Sequence, residues 1–85
     1  MQRDVYSVRY VDKVSSSEKD VGKDVELSEG AFADRKTLGR ALRDSGVLLP
    51  GARVDMFRVE GGKVVVFPCL PGLSTYWHSV ILTRT

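Results

Sequence analysis

Four cations at helical spacing are the residues of this chain best suited to do chemistry. They are Arg35, Lys36, Arg40 and Arg43. At about 100° per residue they share one arc of about 140°, and only Arg40 has an acid at i+4, Asp44. Because the apolar residues of the same segment fall on the other side, we expect all four side chains to lie free at the surface.

The same arc indicates a partner of negative charge. Arg35 and Lys36 stand in the first turn, where the helix macrodipole disfavours cations but where free N–H groups and cations together suit an anion. We therefore predict contact with an anionic macromolecular partner, either an acidic protein surface or nucleic acid. The alternative is a solvated face, which is the usual role of a charge run.

Charge is unevenly distributed along the chain. Residues 1–30 contain five basic and seven acidic groups, whereas residues 31–85 contain eight basic and four acidic groups. Such asymmetry can steer a charged partner. The pI of 8.9 nevertheless falls short of the value above about 9 typical of dedicated nucleic-acid binders, and no RNP, KH or zinc-finger motif is present.

A second candidate contact surface comes from the segment between the two candidate strands nearest the C-terminus. Leu70, Leu73 and Trp77 offer apolar and aromatic side chains of the kind that anchor interfaces. The alternative is that so small a domain needs them for its core. The last strand also favours a dimer, because an uncovered β-rich edge tends to associate.

Catalysis is the third candidate and would depend on Cys69 and His78, the one cysteine and the one histidine. A thiol enzyme needs these groups within hydrogen-bond reach, with an orienting group and oxyanion donors. Cys69 lies between Pro68 and Leu70, an apolar setting typical of an inert thiol. We therefore predict no enzyme, no metal site and no cofactor.

Composition bears on compartment and source. A single cysteine favours a reducing cytoplasm. The longest apolar run, Val64 to Leu70, is too short to span a bilayer, and no secretory signal precedes Val21. The chain has no Asn, one Ile and 13 Val, with eight Arg against five Lys, which indicates a GC-rich genome and hence a bacterium or phage.

The strands and the helix that must position these residues are predicted from the spacing of hydrophobic residues along the chain. Alternation predicts strands at Val5 to Val11 and Val21 to Ser28, and Tyr76 to Thr83 is β-rich enough for a last strand. Asp34 and Gly46 predict a helix from Arg35 to Ser45, with Asp34 as N-cap and Gly46 left-handed.

A hairpin follows the helix. Gly61-Gly62 predicts a two-residue turn between Arg53 to Glu60 and Lys63 to Pro68, with Glu60 opposite Lys63. Phe57, Val59, Val64 and Val66 should then form the face on which the helix packs. Residues 1–85 are thus predicted to form a single α+β domain, in the order β-β-α-β-β-β, with one helix on a mainly antiparallel sheet.

Overall fold

A computed structural model describes residues 3–12, 15–69 and 77–85 of the chain. These residues form five strands and one α-helix, preceded by a short 3-10 helix at Glu29–Phe32 that the sequence analysis did not predict. The elements are β1 Arg3–Asp12, β2 Glu18–Ser28, α1 Arg35–Asp44, β3 Arg53–Glu60, β4 Lys63–Cys69 and β5 Trp77–Arg84. The predicted order β-β-α-β-β-β and the α+β class are confirmed.

The strands form one sheet in the order β2-β1-β5-β4-β3, and every described pair is antiparallel. Leu82 of β5 lies opposite Val8 of β1 on one side and Val64 of β4 on the other. The last strand is therefore central, joining the β1–β2 pair to the β3–β4 pair. The expectation that it is an uncovered edge available for a dimer is wrong.

The β3–β4 hairpin has the predicted register, from Glu60 opposite Lys63 to Met56 opposite Phe67. Gly61 has a φ of 61° whereas Gly62 has no positive φ, which is the pattern of a type II′ turn. The register shifts between Val54 and Met56, so Asp55 is an extra residue at a β-bulge. β4 extends one residue beyond its predicted end at Pro68, to Cys69.

Helix α1 begins and ends at the predicted signals. Asp34 accepts a hydrogen bond from the Thr37 N–H at 2.7 Å. Gly46 has a φ of 83°, its N–H donates to the Arg43 carbonyl, and the Val47 N–H donates to the Leu42 carbonyl. Those two bonds constitute a Schellman motif, which stops the helix at Asp44, with Ser45 as C-cap.

The core lies between α1 and one face of the sheet. Leu38 and Leu42 of the helix are fully buried, as are Val8, Val66 and Leu82 of the strands. Val65 and Ile81 are buried on the opposite face, so β4, which lies between β5 and β3, has little exposure on either face. No helix among the described residues is long and apolar enough to cross a membrane.

The helix does not pack along the whole of β3. A Cβ at Gly39 would stand 3.5 Å from Val54, so α1 contacts β3 near its beginning. At the other end of the strand Val59 is 61% exposed, although its neighbours on the predicted apolar face, Val64 and Val66, are buried. The predicted apolar face is therefore covered over only part of its length.

Candidate functional site

A groove with a volume of about 540 Å³ lies between α1 and the beginning of β3. All four cations that the sequence analysis selected line it, together with a fifth, Arg53. Its lining is Arg35, Lys36, Arg40, Arg43, Arg53, Val54, Asp55 and Cys69. Five cations thus surround one carboxylate, and such a groove attracts anions.

Two of these cations also hold the helix to the strand. Arg35 Nη1 donates to the carbonyl of Asp55 at 3.1 Å, and Arg43 Nη1 donates to that of Ala52 at 2.7 Å. Arg43 is half-buried. The expectation that all four side chains are free is therefore wrong for Arg35 and Arg43, whose guanidinium groups bind backbone carbonyls in β3 and just before it.

The other three cations are exposed and available. Within the described ranges, the side chains of Lys36, Arg40 and Arg53 form no hydrogen bond and no ion pair. Arg40 is not paired even with Asp44, which lies at the spacing that often gives a helix ion pair. The attraction of the groove for an anion thus rests mainly on these three side chains.

The N-terminus of α1 already has its anion. Hydrogen bonds from the N–H and the side chain of Thr37 hold the pKa of Asp34 below its ordinary value, and Lys36 adds to the effect. An external ligand would have to displace this carboxylate from the Thr37 N–H. The predicted anion site on the first-turn N–H groups therefore stays a prediction, with the Thr37 N–H already bound to Asp34.

Sequence reasoning missed Arg53 and Cys69 as lining residues. Both lie at the open end of the hairpin, where Arg53 is opposite Cys69. A helical-wheel pattern cannot reveal a cation that reaches the same groove from a strand. One local signal is the short connection from the helix stop at Gly46 to β3, which limits how far Arg53 can lie from the end of the helix.

The thiol-enzyme alternative gains one observation. Cys69 is exposed and lines the groove, although its neighbours in the sequence are of the apolar kind typical of an inert thiol. His78 is part of β5, but its side chain lies outside the described part of the chain, as does any distance to Cys69. Among the described residues, no cluster of His, Cys, Asp and Glu is suited to hold a metal ion.

The second predicted contact surface falls outside the described structure. Leu70 and Leu73 belong to residues 70–76, which the structure does not describe. Trp77 is the first residue of β5, and its side chain is likewise not described. The contact surface at this segment therefore stays a prediction.

Comparison with known proteins adds no relative, since neither a family model nor a curated protein nor a solved structure matches this chain.

Proposed function

We propose that this protein is a non-enzymatic binding module that contacts an anionic macromolecular partner, an acidic protein surface or nucleic acid, through the groove between α1 and β3. The observation that carries the proposal is the convergence of five cations on one groove with Asp55 as its single acid. Like charges held together are unfavourable until an anion neutralises them. The side chains of three of the five form no hydrogen bond and no ion pair within the described residues, so they can bind an anion.

The test replaces the available cations. Lys36→Gln, Arg40→Gln and Arg53→Gln together remove three charges from exposed side chains, so stability should change by no more than about 0.5 kcal/mol per site. Binding to poly-glutamate or to a single-stranded oligonucleotide should weaken. The matched control is the triple variant Arg9→Gln, Lys19→Gln and Lys63→Gln, which removes the same charge from exposed residues outside the groove.

Salt dependence then separates the two partner classes. With nucleic acid, each lost phosphate contact should flatten the plot of log affinity against log salt by about one unit. With an acidic protein, the main change should be slower association. Equal binding by the two triple variants would show that net charge alone is responsible and would refute a site at the groove.

The alternatives use other residues. A dimerising structural or regulatory protein would bind through the Leu70 to Trp77 segment, and a thiol enzyme would use Cys69 and His78. Under the proposal, Cys69→Ala and His78→Ala leave partner binding intact, whereas a loss of activity by more than about a hundredfold with normal folding would favour nucleophilic catalysis. A bacterial or phage source and a cytoplasmic location belong to the same proposal.

A further inference from the structure

The outer edge of β3 is unpaired over part of its length. β3 is the last strand of the described sheet, so one side of its backbone has no neighbouring strand. Glu60 and Lys63 flank a two-residue turn and form its hydrogen-bonded pair. Alternation then directs the N–H and C=O groups of Glu60 and Arg58 towards β4, and those of Val59 and Phe57 outwards.

Arginines close the first half of this edge. The carbonyl of Asp55 in β3 accepts a hydrogen bond from Arg35, and that of Ala52, just before the strand, accepts one from Arg43. No such contact covers the backbone of Phe57 or Val59 within the described chain. The unprotected part of the edge is therefore short, and it begins after Asp55, whose carbonyl is bound by Arg35.

The opposite edge of the sheet is protected in a different way. β2 has charged residues at six of its eleven positions, a common means of preventing strand addition. The open part of β3 instead exposes apolar side chains, since Val59 is 61% exposed and Met56 is 50% exposed. Its two charged residues lie beside each other, with Arg58 Nη1 3.8 Å from Glu60 Oε1. Of the two edges, β3 is the one suited to accept another strand.

The open edge continues directly into the cationic groove. Asp55 lines the groove and precedes Phe57 by two residues, about 7 Å along a strand. No aromatic ring lines the described groove to stack a base, as sites for single-stranded nucleic acid usually require. A partner that pairs with this edge and extends into the groove must supply backbone hydrogen bonds and then carboxylates.

Resting on the function proposed above, we propose that the partner is an extended acidic segment of another protein, which adds a strand to β3 beside Phe57 and Val59. Its backbone pairs with the outward N–H and C=O groups of these two residues. Its acidic side chains contact Lys36, Arg40 and Arg53 in the groove. This mode of binding is β-augmentation, in which the cations of the groove select partner segments with acidic residues.

The experiment selects ligands from a displayed library of random peptides of about ten residues, long enough to span about 33 Å when extended. Selected peptides should combine a β-branched stretch with a run of Asp or Glu. Val59→Pro removes an outward N–H without removing a β3–β4 bond, a position where an edge strand tolerates proline. It should weaken the selected peptides about tenfold, whereas Val59→Ala, which keeps the N–H, should bind nearly as the wild type does.

A second measurement avoids any dependence on the folding of the proline variant. In the wild-type protein, a saturating selected peptide should slow hydrogen exchange at the Phe57 and Val59 amides by at least about tenfold. Acidic peptides that bind without protecting these amides, with Val59→Pro unchanged, would overturn strand addition while leaving the groove function intact. Selection of peptides without acidic residues, or selection of none while an oligonucleotide binds, would overturn the acidic segment. If neither probe binds the wild-type protein, the groove function itself fails.

Discussion

Tyr10 connects the sheet to the segment that follows the helix. Its hydroxyl donates to the carbonyl of Val47 at 2.8 Å, and burial raises the pKa of this tyrosine. Val47 is the residue whose N–H completes the helix stop. One side chain of β1 thus orients the loop that returns the chain to β3 and so to the groove.

We expect Tyr10→Phe to lower the free energy of unfolding by about 1 kcal/mol, because the Val47 carbonyl loses a hydrogen-bond donor. Urea denaturation measures the change. Tyr6→Phe is the matched control, since Tyr6 packs edge-to-face on Phe32 and its hydroxyl forms no hydrogen bond with the described residues. Equal losses in the two variants would contradict the role of the Tyr10 hydroxyl.

Asp34 should make the helix sensitive to acid. The pKa of the folded carboxyl lies below its ordinary value of 3.8, so Asp34 stabilises the fold above that pH and loses this contribution as pH falls through the folded pKa. Asp34→Asn keeps an N-cap without a titrating group.

Thermal melts from neutral pH down to about pH 2 should therefore show a smaller fall in Tm for Asp34→Asn than for the wild type. Asp24→Asn, an exposed substitution on β2, serves as the control and should follow the wild type. Parallel curves for the wild type and Asp34→Asn would mean that the cap does not depend on the charge of the carboxyl.

At the scale of the element, α1 depends on a defined stop. Gly46 adopts a φ of 83°, and a Cβ there would also stand 2.9 Å from Lys23 Nζ. The lysine end can move away, but the backbone conformation remains unfavourable for a residue with a Cβ. The stop matters to the site because it determines where the chain leaves the helix for β3.

Gly46→Ala should destabilise the protein by about 1 to 2 kcal/mol, because the alanine must adopt the left-handed conformation. Chemical denaturation provides the value. Gly30→Ala is the control, since Gly30 has no positive φ and its nearest neighbour would be Ser28 Oγ at 4.0 Å. No difference between the two variants would mean that the helix end tolerates another conformation.

At the scale of the whole molecule, β5 holds the two halves of the sheet together. β1 and β4 each pair with β5. Leu82 is fully buried at its centre, between Val8 and Val64, on the face that α1 covers. Truncation of the Leu82 side chain should therefore weaken packing in both halves of the sheet and against α1.

Leu82→Ala should lower the free energy of unfolding by about 2 to 5 kcal/mol, because it opens a cavity in the core that both halves of the sheet share. Both halves should therefore lose stability together and unfold in one transition. Leu49→Ala, at a residue that is 66% exposed, should cost little. Residue-resolved hydrogen exchange checks the cooperativity. Separate loss of the β3–β4 hairpin would show that the halves do not unfold as one unit.

Sequence alone determined the features that local chemistry controls. A glycine pair between two apolar strands is sufficient to predict the register from Glu60 opposite Lys63 onwards. Asp34 and Gly46 are sufficient to delimit the helix, because cap geometry involves only neighbouring residues. The cationic arc was visible for the same reason, since four residues on one helix have a known angular relation.

Tertiary structure decided where those elements meet. Only the sheet order shows that β5 is central and that β3 is an edge, because strand pairing depends on residues far apart in the chain. Only the packing of α1 against the beginning of β3 brings Arg35 and Arg43 to backbone carbonyls there and places Arg53 in the same groove. Periodicity describes the two sides of one element. It cannot say which side of a distant element lies opposite, because packing of the whole core selects that arrangement.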